Sequence, residues 1–204
     1  HLFHFVAAIQ ELRGWGRGLR TAVGQWYETM PVDKLAYEVV KYQQRDGWSN
    51  RDLLRLAHPK TADPARNAIY KWIVGGACEE ITGKLPDVIA AFEATKVETE
   101  HSRTIPQLIL DHNLTREMVP TWALADPEVW EALLVKMPMT AMIRNLGNMS
   151  KVGLLAPLST ASRTVCERLR DVDRLKKARI HPIAVLVAMK TYASGAGLRG
   201  SGTW

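Results

Sequence analysis

Cysteine is scarce in this 204-residue sequence: Cys78 and Cys166 are the only two, with no C-x-x-C spacing. That is too few for a disulfide framework and points to a reducing compartment. Long apolar runs are lacking as well. The longest, Pro182 to Met189, is far short of the roughly 20 residues of a membrane-spanning helix, so a cytoplasmic protein with no membrane partner is expected. There is no G-x-x-x-x-G-K-[ST], no G-x-S-x-G and no H-E-x-x-H, the patterns that cradle phosphates, present a nucleophile or hold a catalytic zinc. His1 and His4 stand three apart without a third ligand, while His101, His112 and His181 are isolated, which suits capping or structural roles better than a metal site. Scattered His and Glu do not make a convergent acid and base, so an enzyme is not expected. No run alternates with period two between hairpin turns, and a sheet is not expected either. The sequence starts at His1, without an initiator Met or a signal-peptide pattern, and reads as a piece of a longer protein.

What is present is basic charge, unevenly spread. The net charge is +6 and the isoelectric point about 9.4, which suggests a polyanionic partner. Residues 1–60 hold 9 basic and 6 acidic side chains, residues 61–130 hold 6 and 11, and residues 131–204 hold 12 and 4. Positive charge is therefore concentrated at both ends of the chain, as one binding side would require.

Nearly every segment reads as helix. Asp63-Pro64 and Asp126-Pro127 each place a carboxylate at an N-cap and a proline at the first helical position, where its missing N–H is not needed. Ala65, Ala68, Ile69, Trp72 and Ile73 then form an apolar stripe that Gly75-Gly76 stops, and Val129, Trp130, Leu133, Leu134 and Met137 form another that runs to Pro138. Pro31 opens a helix expected to reach about Asp46, with Leu35, Val39 and Tyr42 on one side. Ser49 with Asp52 resembles a shortened capping box for a helix running toward Pro59. Further helices are expected over about 3–12, 16–29, 86–99, 105–112, 115–123, 138–147, 159–179 with a break, and 182–193. The expected fold is all-α, a globular bundle or an α-solenoid of antiparallel helix pairs over residues 1–194. The glycine-rich residues 195–204 read as an exit segment. The seven tryptophans are expected in the core and in helix contacts rather than as a base-stacking platform.

Three basic sets stand out. Arg51, Arg55 and His58 fall at i, i+4 and i+7, opposite Leu53, Leu54, Leu56 and Ala57, and Lys41 with Arg45 gives a neighbouring i, i+4 pair before the Gly47 turn. Together they could hold a phosphate backbone, with His58 at a helix end offering a ring to stack or donate a hydrogen bond. A second cluster comprises Arg168, Arg170, Arg174, Lys176, Lys177 and Arg179, and a third Arg13, Arg17 and Arg20 among Gly14, Gly16 and Gly18. Spacing alone leaves solvated outer faces as the commoner alternative for each set.

The run Lys41-Tyr-Gln-Gln-Arg-Asp-Gly-Trp-Ser-Asn-Arg-Asp-Leu-Leu-Arg-Leu-Ala-His-Pro-Lys60 resembles the signature of the TROVE module, found in telomerase-associated, Ro and vault proteins. The resemblance to the Ro family extends through Trp15 to Arg20, Met137 to Gly147, Lys176 to Pro182 and Gly197 to Gly200, and so covers essentially the whole chain. The short loops suggest a bacterial member. The resemblance implies HEAT-like helical repeats bent into a ring or, for a piece, an open arc. A von Willebrand factor A-like domain would follow, and any divalent metal would belong to that domain rather than to these residues. It further implies binding of small noncoding Y RNAs on the outer side, entry of single-stranded ends of misfolded RNAs into the central hole, and RNA quality control alongside an exoribonuclease such as polynucleotide phosphorylase. Lys41, Arg45 and His58 match family positions associated with Y RNA. Arg51, Arg55, Lys60, Arg17, Arg20, Arg174, Lys177 and Arg179 are the further candidate RNA contacts. The competing expectation is a HEAT-type scaffold whose basic faces meet an acidic protein.

Overall fold

The computed structural model describes residues 2–99 and 103–195, the last four of them without their side chains. The described residues are all-α apart from one two-residue hairpin, and they cluster into two compact units divided between Val97 and Glu98. The expected exit segment, from Ala196 on, and His101 lie outside the described residues.

The first unit contains α1 (Leu2–Arg13), α2 (Arg17–Thr29), α3 (Val32–Lys41), β1 (Gln44–Arg45), β2 (Trp48–Ser49), α4 (Asn50–Ala57), α5 (Pro64–Gly75), α6 (Glu79–Thr82) and α7 (Asp87–Val97). Helix α2 packs on α1 and α4, and α3 packs on α5 and α7. Their apolar stripes close over a core that includes Phe3, Tyr27, Leu35, Leu53, Ile69 and Ile89. The expected caps form: the Asp63 carboxylate accepts from the Ala65 N–H at 2.9 Å, and Ser49 and Asp52 exchange two 3.1 Å bonds in a complete capping box. Each satisfies donors that a helix start leaves unpaired.

Helix α3 is shorter than its amphipathic pattern suggests. It ends at Lys41, and residues 44–49 turn back as a hairpin in which Gln44 pairs with Ser49 and Arg45 with Trp48. Asp46 and Gly47 both have positive φ, 53° and 79°. That is the type I′ turn for which Asp-Gly is suited, and it overrides the helical continuation.

The second unit contains α8 (Thr104–His112), α9 (Pro127–Lys136), α10 (Met139–Lys151), α11 (Thr160–Arg170), α12 (Val172–Ala178) and α13 (Pro182–Gly195). Helix α8 packs on α9, and α10 on α12 and α13, around Ile105, Trp130, Leu133, Met142 and Met149. The helix expected over 115–123 is instead two 3₁₀ turns, Arg116–Met118 and Trp122–Ala125, separated at Pro120. Proline there has no N–H for a continuous ladder.

Two arginines serve the fold, Arg66 and Arg168, the second of them counted above in a basic cluster. Arg66, almost wholly buried, donates from its guanidinium to the Tyr27 and Met30 carbonyls at the end of α2. Arg168 does the same at the end of α9, donating to Leu134 at 2.8 Å and Val135 at 2.9 Å. In both places a Met-Pro pair stops the preceding helix and leaves carbonyls that need donors.

Candidate nucleic-acid interface

The candidate residues of the first unit sit on four elements and on the connection that follows α4. Arg17 and Arg20 occupy the first turn of α2, one turn apart and both exposed. Arg13 does not share their face, because it ends α1 and Gly14, with φ 68°, reverses the chain before α2 begins. Lys41 is the last residue of α3, its ammonium 5.3 Å from the ring centroids of both Tyr37 and Tyr42. Arg45 is not one helical turn beyond it, as the spacing predicts, but exposed on β1.

Arg51 and Arg55 lie on the exposed side of α4, whose Leu53, Leu54 and Ala57 face the core. Leu56 departs from the expected apolar side and is 37% exposed. His58 is the C-cap of α4 in the left-handed region, φ 50°, and its N–H donates to Leu54 O at 2.9 Å. That conformation directs the chain out of the helix and leaves the imidazole exposed. Lys60 follows, exposed, with its backbone N–H held by the Glu28 carboxylate at 2.9 Å.

Arg17, Arg20, Arg55 and His58, drawn from two sequence-distant sets, line one open cavity of about 430 Å³ with Trp15, Gly16 and Leu56. No carboxylate lines it. Lys41, Arg45, Arg51 and Lys60 are not among its lining residues.

Sequence reasoning missed the residues that hold this surface in place. The Trp15 indole stacks on Trp48 of β2, centroids 5.7 Å apart and planes 30° from parallel, which ties the hairpin to the turn before α2. Asn50, 5% exposed, donates to Tyr42 O at 2.7 Å and accepts from the Tyr27 hydroxyl at 2.6 Å. Burial pushes the Tyr27 hydroxyl well above the usual phenol range, since desolvation disfavours the phenolate. His4 joins Asp46 of the hairpin turn at 2.6 Å. The one available signal was Asp46-Gly47, a hairpin dipeptide inside a helical pattern.

In the second unit Arg174, Lys177 and Arg179 are exposed on or just after α12. Arg174 pairs with Asp171 at 3.0 Å, and Arg179 is a left-handed C-cap, φ 47°. Helix α10 adds an exposed polar row that was not singled out, Thr140, Arg144, Asn148 and Lys151. Its spacing of four, four and three is the signal that could have found it. Among the described residues no three His, Cys, Asp or Glu side chains come together as metal ligands, and no helix is long and apolar enough to cross a membrane.

A family model described as the TROVE domain matches residues 1–100 and 78–194. The chain belongs to the TROVE family. Two relatives are each named RNA-binding protein RO60: that of Deinococcus radiodurans is 44% identical over 205 residues, and that of Caenorhabditis elegans 35% identical over 261. Both comparisons cover all of this chain, but only 38% and 40% of the respective relative. The crystal structure of the Deinococcus radiodurans RO (RSR) protein superposes with a TM-score of 0.75 at 43% identity, over the whole of this TROVE chain and 41% of the other. The chain thus spans about two-fifths of the length of these relatives.

Proposed function

We propose that this chain is the RNA-holding part of a Ro-type protein, with small noncoding Y RNA as its main ligand and the first unit's basic surface as its principal contact. The observation that carries the reading is the meeting of Arg17, Arg20, Arg55 and His58 on one cavity free of carboxylates. Guanidinium groups suit phosphate because their planar forks donate paired hydrogen bonds. Lys41, Arg45, Arg51 and Lys60 extend the contact along the backbone, and Arg174, Lys177 and Arg179 of the second unit take a second stretch of RNA. The relatives' name, RNA-binding protein, supports the ligand class and a binding role rather than catalysis. Single-stranded ends of misfolded RNA, a partner exoribonuclease such as polynucleotide phosphorylase, and a cytoplasmic role in RNA quality control belong to the same proposal.

The test is an electrophoretic mobility series with a Y-type stem-loop at several salt concentrations. Binding should weaken linearly on a log–log plot, by about 0.9 log unit of affinity per log unit of salt for each duplex phosphate neutralised. Salt-insensitive binding, or retention of an acidic protein in preference to the RNA, would refute the reading.

A further inference from the structure

The three arginines of the cavity have no partner of their own among the described residues. Among the described residues, Arg17, Arg20 and Arg55 take part in none of the four ion pairs, and no described side-chain hydrogen bond engages their guanidinium groups. They contrast with Lys71 and Lys96, which are neutralised by Glu80 and Glu93, and with Arg66 and Arg168, which are consumed by carbonyls. The cavity wall also has an apolar part. Trp15, half-buried, and Leu56 line it, and Trp15 is backed by Trp48 and so held as a platform. Gly16 lines it too, is exposed, and a Cβ added there would meet nothing within 4 Å. A concavity of about 430 Å³ lies within the roughly 300–1,000 Å³ range of small-molecule sites, whereas a helical backbone passing over a convex surface needs no such recess.

We propose that this cavity takes one unpaired RNA nucleotide, its base lying on Trp15 and its phosphate held by Arg17, Arg20 and Arg55. The idea rests on the RNA reading above and sharpens it. Backbone contacts are indifferent to pairing, but a planar ring beside an anion site is recognised only when a base leaves its stack. His58, at the rim, donates to the base edge or the sugar. Such a nucleotide could come from a bulge or from an overhanging end, which offer the same chemistry.

The experiment uses the intact chain and four RNAs sharing one stem: blunt, with a single-nucleotide bulge, with the same bulge abasic, and with a single-nucleotide 3′ overhang. The parent should bind the bulged or the overhanging RNA more tightly than the blunt stem by about five- to 150-fold, the range for stacking one base on an aromatic ring. Which of the two is preferred identifies the source. The abasic bulge should lose that gain. Trp15→Leu removes the platform, and Gly16→Leu adds bulk to a residue that lines the cavity, at an extended N-cap position that tolerates a side chain. Each should erase the preference, read as the ratio of bulged or overhanging to blunt-stem affinity within the same variant, with circular dichroism melting as the check on folding. If Trp15→Leu unsettles the hairpin through Trp48, Gly16→Leu still decides. Equal affinity of the parent for blunt, bulged and overhanging stems, or a preference surviving in the folded variants, overturns the pocket while sparing the RNA reading. Failure to bind any of the four RNAs overturns both.

Discussion

Lys41, Arg45 and His58 differ in what each can offer RNA, so their losses should look different. Lys41 and Arg45 are placed on separate elements and present charge. Lys41→Ala with Arg45→Ala should weaken every RNA alike and flatten the salt dependence by about 0.9 log unit per lost contact. His58 presents an exposed ring at a helix end. His58→Ser should lower Y RNA affinity by about five- to 150-fold, the range of roughly 1–3 kcal/mol for a stacked base or a good base-edge contact, with little change in slope. A mobility-shift salt series on both variants separates the outcomes: a slope that falls with His58→Ser, or stays with the double variant, contradicts the assignment. Ser suits the His58 backbone poorly, because φ of 50° disfavours most residues other than Gly and Asn. His58→Asn is therefore the companion that keeps the cap while removing the imidazole.

At the scale of elements, what the sequence shows depends on how locally each feature is determined. The Asp63 and Asp126 caps, the Ser49–Asp52 box and the α5 and α9 stripes are settled within one or two turns, and they form as their spacing predicts. The Lys41–Arg45 pairing failed because two signals overlap there, an amphipathic pattern continuing to Asp46 and an Asp-Gly turn that ends it sooner. The cavity was beyond reach for a different reason: Arg17, Arg20 and Arg55 are brought together by the packing of α2 on α4, which no local pattern encodes. Arg168 misled for the same reason, since the carbonyls it serves lie more than thirty residues earlier. Arg168→Ala should therefore destabilise the fold by about 1–3 kcal/mol, the cost of leaving such groups unsatisfied, and leave the salt slope of RNA binding intact. Denaturant unfolding beside a salt series tests both halves. Tyr27 gives a pH signature. Its pKa is raised in the folded state by burial, so its contribution to stability is complete below the ordinary phenol value of 10.0 and is lost as pH rises above it. The melting temperature should fall in that alkaline window. Tyr27→Phe should soften the fall, not abolish it, because burial also raises Tyr70. The same variant should be less stable at neutral pH by about 1–3 kcal/mol, as Asn50 Oδ1 loses its donor. Melting curves from pH 7 to 11 that superpose for parent and variant would dismiss this account.

Over the whole molecule, charge is divided by both amount and availability. Residues 1–60 and 131–204 are net positive and residues 61–130 net negative, and an acidic stretch repels phosphate over about 8–10 Å at ordinary ionic strength. Availability sharpens the division. Within the acidic stretch Lys71 is engaged by Glu80, whose carboxyl is held below its usual range by that ammonium, and Lys96 is engaged by Glu93 at 2.7 Å. Exposed pairs of this kind add little stability, but a lysine already facing a carboxylate is a poorer phosphate ligand than one that is not. Lys60, Lys176 and Lys177 are exposed and take part in none of the described ion pairs. Lysine-reactivity footprinting with and without a Y-type stem-loop should therefore show protection at Lys41, Lys60, Lys176 and Lys177, and none at Lys71, Lys84 and Lys96. Protection confined to Lys41 and Lys60 would remove the second unit from the contact. Protection at Lys71 or Lys96 would mean that RNA approaches the acidic stretch despite its charge, and the division of the chain into binding and non-binding parts would fall.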